Sequence, residues 1–154
     1  MSDKISYLAG ILDGEGSFAV YRRPQTSAGI VEYVATVNVS STSRNLVDWL
    51  YDNFTGSKLS RPATKNNEIL YQWRLYDRAY IRDLLPVVIP ELKVKYVSAC
   101  LVLEFCQKFN VGKGGEYSAA QKIDMDVYVK FSARANSKGP GSAALKELML
   151  NIVK

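Results

Sequence analysis

The chain contains no histidine, and that single absence removes much of enzyme chemistry. Without imidazole there is no Ser–His or Cys–His nucleophile activation and no histidine-based metal site. Cysteine is nearly as scarce, with only Cys100 and Cys106. Both fall on one expected helix and point to different faces, so they read as buried thiols rather than a disulfide or a zinc pair. No apolar run approaches the roughly 20 residues that span a bilayer. The start, Met1 to Tyr7, carries acid early and has no signal-peptide core. The expectation is therefore a soluble, intracellular protein of a prokaryotic cytoplasm or an organelle, with no membrane partner. No linker, internal repeat or low-complexity tract divides the sequence, so residues 1–154 are expected to form one domain. Any catalysis must rest on carboxylates, lysines, hydroxyls or a bound metal.

What is present supports a packed core and a polyanionic partner. Hydrophobic residues make up 47% and charged residues 23%, a balance that folds rather than stays disordered. Twenty Lys and Arg outnumber 15 Asp and Glu, a net charge of +5. That is compatible with nucleic acid but does not establish it.

The apolar spacing predicts helix, two strands, helix, two strands, then helices. The first helix covers about Ile5 to Asp13. Ser17 to Pro24 and Tyr33 to Val39 alternate with the period of strands. Arg44 to Phe54 carries an apolar stripe of Leu46, Val47, Leu50 and Phe54, with Thr42 or Ser43 as its cap and Gly56 at its end. Further strands fit Ser57 to Arg61 and Ile69 to Leu75. Asp77 caps a short helix that Pro86 is expected to end. Helices then fit Lys93 to Asn110, Ala119 to Ala135 and Ser142 to Val153. Loops are expected around Ala28-Gly29, Asn66-Asn67 and Gly112 to Gly115. The expected class is α+β: a four-stranded antiparallel sheet with helices on one face, in the order αββαββα.

The most informative segment is Leu8-Ala9-Gly10-Ile11-Leu12-Asp13-Gly14-Glu15-Gly16. It reads as a helix that stops at glycines and turns sharply into a strand. Ala9 and Gly10 leave one side nearly bare, so a second helix could approach closely. The turn carries Asp13 and Glu15 to one end of the sheet. Taken alone, the segment is equally a small-residue helix with an acidic turn.

These nine residues resemble the signature of the LAGLIDADG homing endonucleases. Leu8, Ala9, Gly10, Asp13 and Gly16 match it, Ile11 and Leu12 are mild hydrophobic swaps, and Gly14-Glu15 stands where the name has Ala-Asp. The order of elements after the motif is also similar to the family's. The resemblance implies a metal-dependent DNA endonuclease. Glu15 would bind a divalent cation, Mg²⁺ or another hard ion such as Mn²⁺, helped by the backbone carbonyl of Gly14. Single-motif members carry a Leu-Lys-x-Lys stretch after a proline, which here matches Leu92 to Lys95 after Pro90. That places Lys95 near the scissile phosphate. Arg44 falls in a region where the family has basic or water-organising groups. With one copy of the motif, the working unit is expected to be a homodimer on double-stranded DNA, with Leu8, Ala9, Gly10, Leu12 and Asp13 at the two-fold interface and a pseudo-palindromic target.

Strand alternation nominates Tyr21, Arg23, Gln25, Asn38, Arg61, Gln72 and Arg74 as one polar face. Arg can read guanine, and Asn or Gln can read adenine, in a major groove. Ser137 and Lys138 look like phosphate contacts. Two other readings compete. One is a binding protein on the same fold, an RNA maturase or a DNA-binding regulator. The other is a basic structural domain whose motif is accidental. The intact Glu15 favours cleavage.

Overall fold

The computed structural model describes residues 3–24, 31–62, 68–109 and 117–137. The expected loops at Ala28-Gly29, Asn66-Asn67 and Gly112 to Gly115 lie outside these residues. So do the helix expected over Ser142 to Val153, and the candidate contacts Gln25 and Lys138.

Helix α1 (Asp3–Glu15) runs directly into strand β1 (Gly16–Pro24), followed by β2 (Val31–Ser41) and α2 (Arg44–Phe54). Strands β3 (Ser57–Pro62) and β4 (Ile69–Leu75) come next, then α3 (Arg78–Val88), a single 3₁₀ turn (Ile89–Glu91), α4 (Tyr96–Lys108) and α5 (Ala119–Asn136). The sheet is antiparallel, in the order β1-β2-β4-β3.

Alternation explains how the helices come to lie on one face. Phe18 pairs with Val37, which pairs with Leu75; Val39 pairs with Trp73. These side chains, with Val20, Tyr33 and Ala35, are buried. Against them pack Leu8 and Leu12 of α1, Val47 and Leu50 of α2, Ile81 and Leu85 of α3, Val102 and Phe105 of α4, and Met125 of α5. Each fully buried side chain of this size stabilises the fold by about 1.5–3 kcal/mol before entropy is counted. Among the described helices, those named here pack on this one face.

Helix α1 and strand β2 each run two residues further at both ends than expected, and two other boundaries differ for visible reasons. Pro86 does not end α3 but sits inside it. It removes one late backbone donor, yet Leu85 and Val88 on either side are fully buried. The ladder then resumes, with the Ile89 amide bonding to the Leu85 carbonyl. Helix α4 begins at Tyr96 rather than Lys93, and the amides of Lys93, Val94 and Lys95 just before it are engaged by a carboxylate from another helix.

Helix α5 also shields an edge. Strand β1 is outermost in the sheet, where bare backbone invites pairing with other chains. Ser132 accepts from the Val20 amide at 2.9 Å, and Asn136 donates to the Phe18 carbonyl at 2.8 Å.

Candidate active site

The α1–β1 junction has no loop, since Glu15 ends the helix and Gly16 starts the strand. Such a turn forbids a side chain at Gly16: a Cβ there would lie 2.7 Å from the Leu12 Cα and 2.8 Å from its carbonyl oxygen. Asp13 points the opposite way. Its carboxylate accepts from the amides of Lys93 at 2.7 Å, Val94 at 3.0 Å and Lys95 at 3.1 Å. The Lys95 ammonium in turn donates to the Gly16 carbonyl. Two clamps therefore hold Lys95 at the turn that carries Glu15, although the residues lie far apart in the chain.

Glu15 is exposed at the negative end of α1, and the last turn of that helix holds no basic residue. A carboxylate there is unfavourable unless a donor or cation answers it. Three amides answer Asp13. No described ion pair involves Glu15. Its carboxylate and the terminal carbonyls of α1 are hard oxygen donors, which suit Mg²⁺. Among the described residues no three His, Cys, Asp or Glu side chains cluster, so they form no closed cage of such side chains around an ion. One or two carboxylates completed by phosphate oxygens is a usual way to hold Mg²⁺, and the donor set fits it.

The exposed side of α1 differs from the expected one. Leu8, Ala9 and Leu12 are 0%, 1% and 0% exposed, so their side chains belong to this chain's own core and are not available to a second chain. That corrects the interface read from the sequence. Asp13 is taken up by the segment before α4. Gly10 remains, joined by Gly14. A Cβ on either would meet nothing within 4 Å. With Ser6, Tyr7, Ile11, Glu15 and Leu46 they line an open groove of about 420 Å³.

The strand register brings Tyr21, Arg23, Asn38, Arg61, Gln72 and Arg74 to the sheet face opposite the core. Arg23 donates to Glu32, its direct neighbour across the ladder, at 2.7 Å. The Gln72 amide nitrogen donates to Ser40 at 2.8 Å; its oxygen accepts from Arg74 at 2.7 Å. Arg74 also donates to the Tyr76 hydroxyl at 3.1 Å. Burial, then the adjoining Tyr76, raises the Tyr21 hydroxyl above its ordinary value. Sequence reasoning missed Glu32 and Tyr76. Glu32 shares the alternation of Asn38 and was legible on that ground; Tyr76 lies just past the end of β4.

No protein-family model matches the sequence, and no curated relative matches it. Solved structures do. The archaeal intron-encoded homing endonuclease I-Vdi141I, complexed with DNA, superposes with a TM-score of 0.71 at 15% identity, over 96% of this chain and 97% of that one. The homing endonuclease I-CvuI, in complex with the I-CreI target, gives 0.70 at 13% identity, over 98% and 95%. The meganuclease I-SmaMI, bound to uncleaveable DNA, gives 0.59 at 16% identity, over 88% of this chain but 45% of its own.

The chain has the LAGLIDADG homing endonuclease fold.

Within this LAGLIDADG fold, no described hydrogen bond or ion pair joins two other candidates from the sequence to the Glu15–Lys95 cluster. Arg44, in the first turn of α2, pairs along its own helix with Asp48 at 3.5 Å, and its side chain is 73% exposed. Asp48 also holds Lys58 at 3.1 Å. Ser137 caps α5, its hydroxyl donating to the Arg134 carbonyl at 2.8 Å.

Proposed function

We propose that the chain is a site-specific double-strand DNA endonuclease of the LAGLIDADG homing type. It acts as a symmetric homodimer on a long pseudo-palindromic site and requires Mg²⁺ or a similar hard cation. The observation that carries this reading is the α1–β1 turn. It sets an exposed, uncompensated Glu15 beside a clamped lysine, where α1 meets a sheet whose helix-free face is rich in Arg, Gln, Asn and Tyr. An antiparallel sheet of this kind fits a major groove, where such side chains distinguish base pairs.

In this scheme Glu15 and the Gly14 carbonyl would hold the cation. When bound, the ion polarises a phosphoryl oxygen and lowers the pKa of an attacking water. Lys95 adds a fixed positive charge for the negative charge that develops on the scissile phosphate. Asp13 acts through Lys95, holding its backbone in place. One chain has one such carboxylate, while cutting a duplex needs chemistry on two strands. The bare Gly10–Gly14 side of α1 suits a close helix contact with a second copy. The match to I-SmaMI over less than half of that protein's length is consistent with each chain supplying one half of a working unit.

The test is Glu15→Gln. The variant is expected to bind a selected duplex as the wild type does and to lose cutting in Mg²⁺. Full nicking by this variant, or by the wild type in excess chelator, would falsify the assignment. Tight, specific binding without cutting by the wild type would move the function to a DNA-binding regulator.

A further inference from the structure

The helix-free face of the sheet holds a run of hydrogen bonds whose middle member is hidden. Gln72 is only 8% exposed. Its register neighbour on β2 is Ser40 and on β3 is Leu59. Both ends of its amide are occupied sideways, the nitrogen by Ser40 and the oxygen by Arg74. A glutamine that reads adenine must turn both its N–H₂ and its carbonyl outward to the base edge. Gln72 turns neither outward.

Arg74 is placed differently. It stands on the next outward position of β4, partly exposed. Of the five N–H groups on a guanidinium, it gives one to Gln72 and one to Tyr76, which leaves donors for a ligand. The two bonds fix the plane of the guanidinium from two sides. An arginine held in plane offers guanine a ready fork; a loose one must first be ordered.

We propose that Gln72 is a positioning residue for base recognition: it reads no base itself but sets the guanidinium of Arg74, which reads a guanine in each half-site. This rests on the DNA-reading function proposed above. It reassigns Gln72 from reader to support, with Ser40 as the anchor of the support.

The test is competition among duplexes recovered from a randomised library, comparing preference at each base pair. Arg74→Ala is expected to relax guanine preference at one position of each half-site, roughly tenfold or more. Gln72→Met keeps the length but loses both amide partners, and is expected to relax that same position by a smaller factor. Ser40→Ala should do so more weakly still, and serves if Gln72→Met does not fold. Gln72→Glu still accepts from Arg74. It should restore the preference, while its added negative charge weakens all duplexes alike. A change at a different base pair in Gln72→Met overturns the proposal. So does an unchanged guanine preference in that variant, or a Gln72→Glu protein as relaxed as Gln72→Met. If the wild type prefers no base anywhere, the endonuclease reading itself has failed and this proposal falls with it. A wild-type preference that Arg74→Ala abolishes and Gln72→Met leaves intact overturns the positioning role alone.

Discussion

Asp13 serves two helices at once. At the end of α1 its charge opposes the helix dipole; at the approach to α4 it meets three backbone amides and the positive end of that helix. The second interaction outweighs the first, since charge-assisted hydrogen bonds contribute about 1.5–3 kcal/mol each. The same bonds fix where Lys95 can go. Replacing Lys95 by Met should therefore leave the fold and DNA binding nearly intact and slow cleavage at least about tenfold. Single-turnover kinetics at saturating protein measures this, and a wild-type rate would remove Lys95 from the chemistry. Elsewhere the chain keeps reactive groups silent. Burial raises the Cys106 thiol to about 12, only partly offset by Arg78 and Arg82. Native protein at pH 8 should resist iodoacetamide at Cys106 and react there only in denaturant, as mass spectrometry of the alkylated peptide would show. The unfolded thiol ionises near 9.0, so its contribution to stability is complete below that pH and declines as pH rises toward 12. Urea midpoints should fall less steeply above pH 9 in Cys106→Ala than in the wild type.

The elements show where local sequence decides structure and where it does not. The limits of α2 and β4 follow from the sequence to the residue, because a cap, an apolar stripe and a glycine stop agree for the helix and clean alternation marks the strand. At Gly56, φ is 95°, and a Cβ would meet the Arg74 carbonyl at 2.5 Å, so a glycine stop is required there. The segment before α4 was not legible, because its amides are held by a carboxylate some 80 positions away. Nor was the burial of Ala9, although the inward packing of Leu8 and Leu12 was. A nine-residue pattern shows that a helix has a bare side, but the three-dimensional packing decides which side faces the core. The cap of α5 could have been found. Ser118 and Gln121 form a reciprocal capping box, and their spacing is plain in the sequence. Within α1 and the turn after it, two glycines make opposite predictions. Gly16→Ala should cost about 1–3 kcal/mol through its clash with Leu12. Gly10→Ala should be neutral or slightly stabilising in the isolated chain, since alanine favours helix. Chemical denaturation of both variants, in dilute protein, checks the pair.

At the scale of the whole molecule, the open side of α1 sets the expected assembly. A Cβ at Gly10 meets nothing within 4 Å among the described residues, so a side chain there starts into the open groove. Gly10→Leu should therefore fold normally yet hold a close helix contact apart, weakening association by at least roughly 1–3 kcal/mol. Sedimentation at micromolar concentration should find a wild-type dimer and a folded mutant monomer. An intact Gly10→Leu dimer would move the two-fold axis off this helix. The sheet has a wider consequence. Along each strand, one residue answers to the core and the next to whatever lies against the open face, and the two seldom touch the same neighbours. Phe18, Val37 and Trp73 are fully buried in the core; Tyr21, Asn38 and Arg74, on the other face, are only partly buried. Under the proposed function, the less buried open-face positions can change the target, while the core positions, and buried open-face ones such as Thr36 and Gln72, preserve the scaffold. A lineage built this way can follow a drifting recognition site by single substitutions, each nearly free of folding cost, until its relatives share a shape and little text.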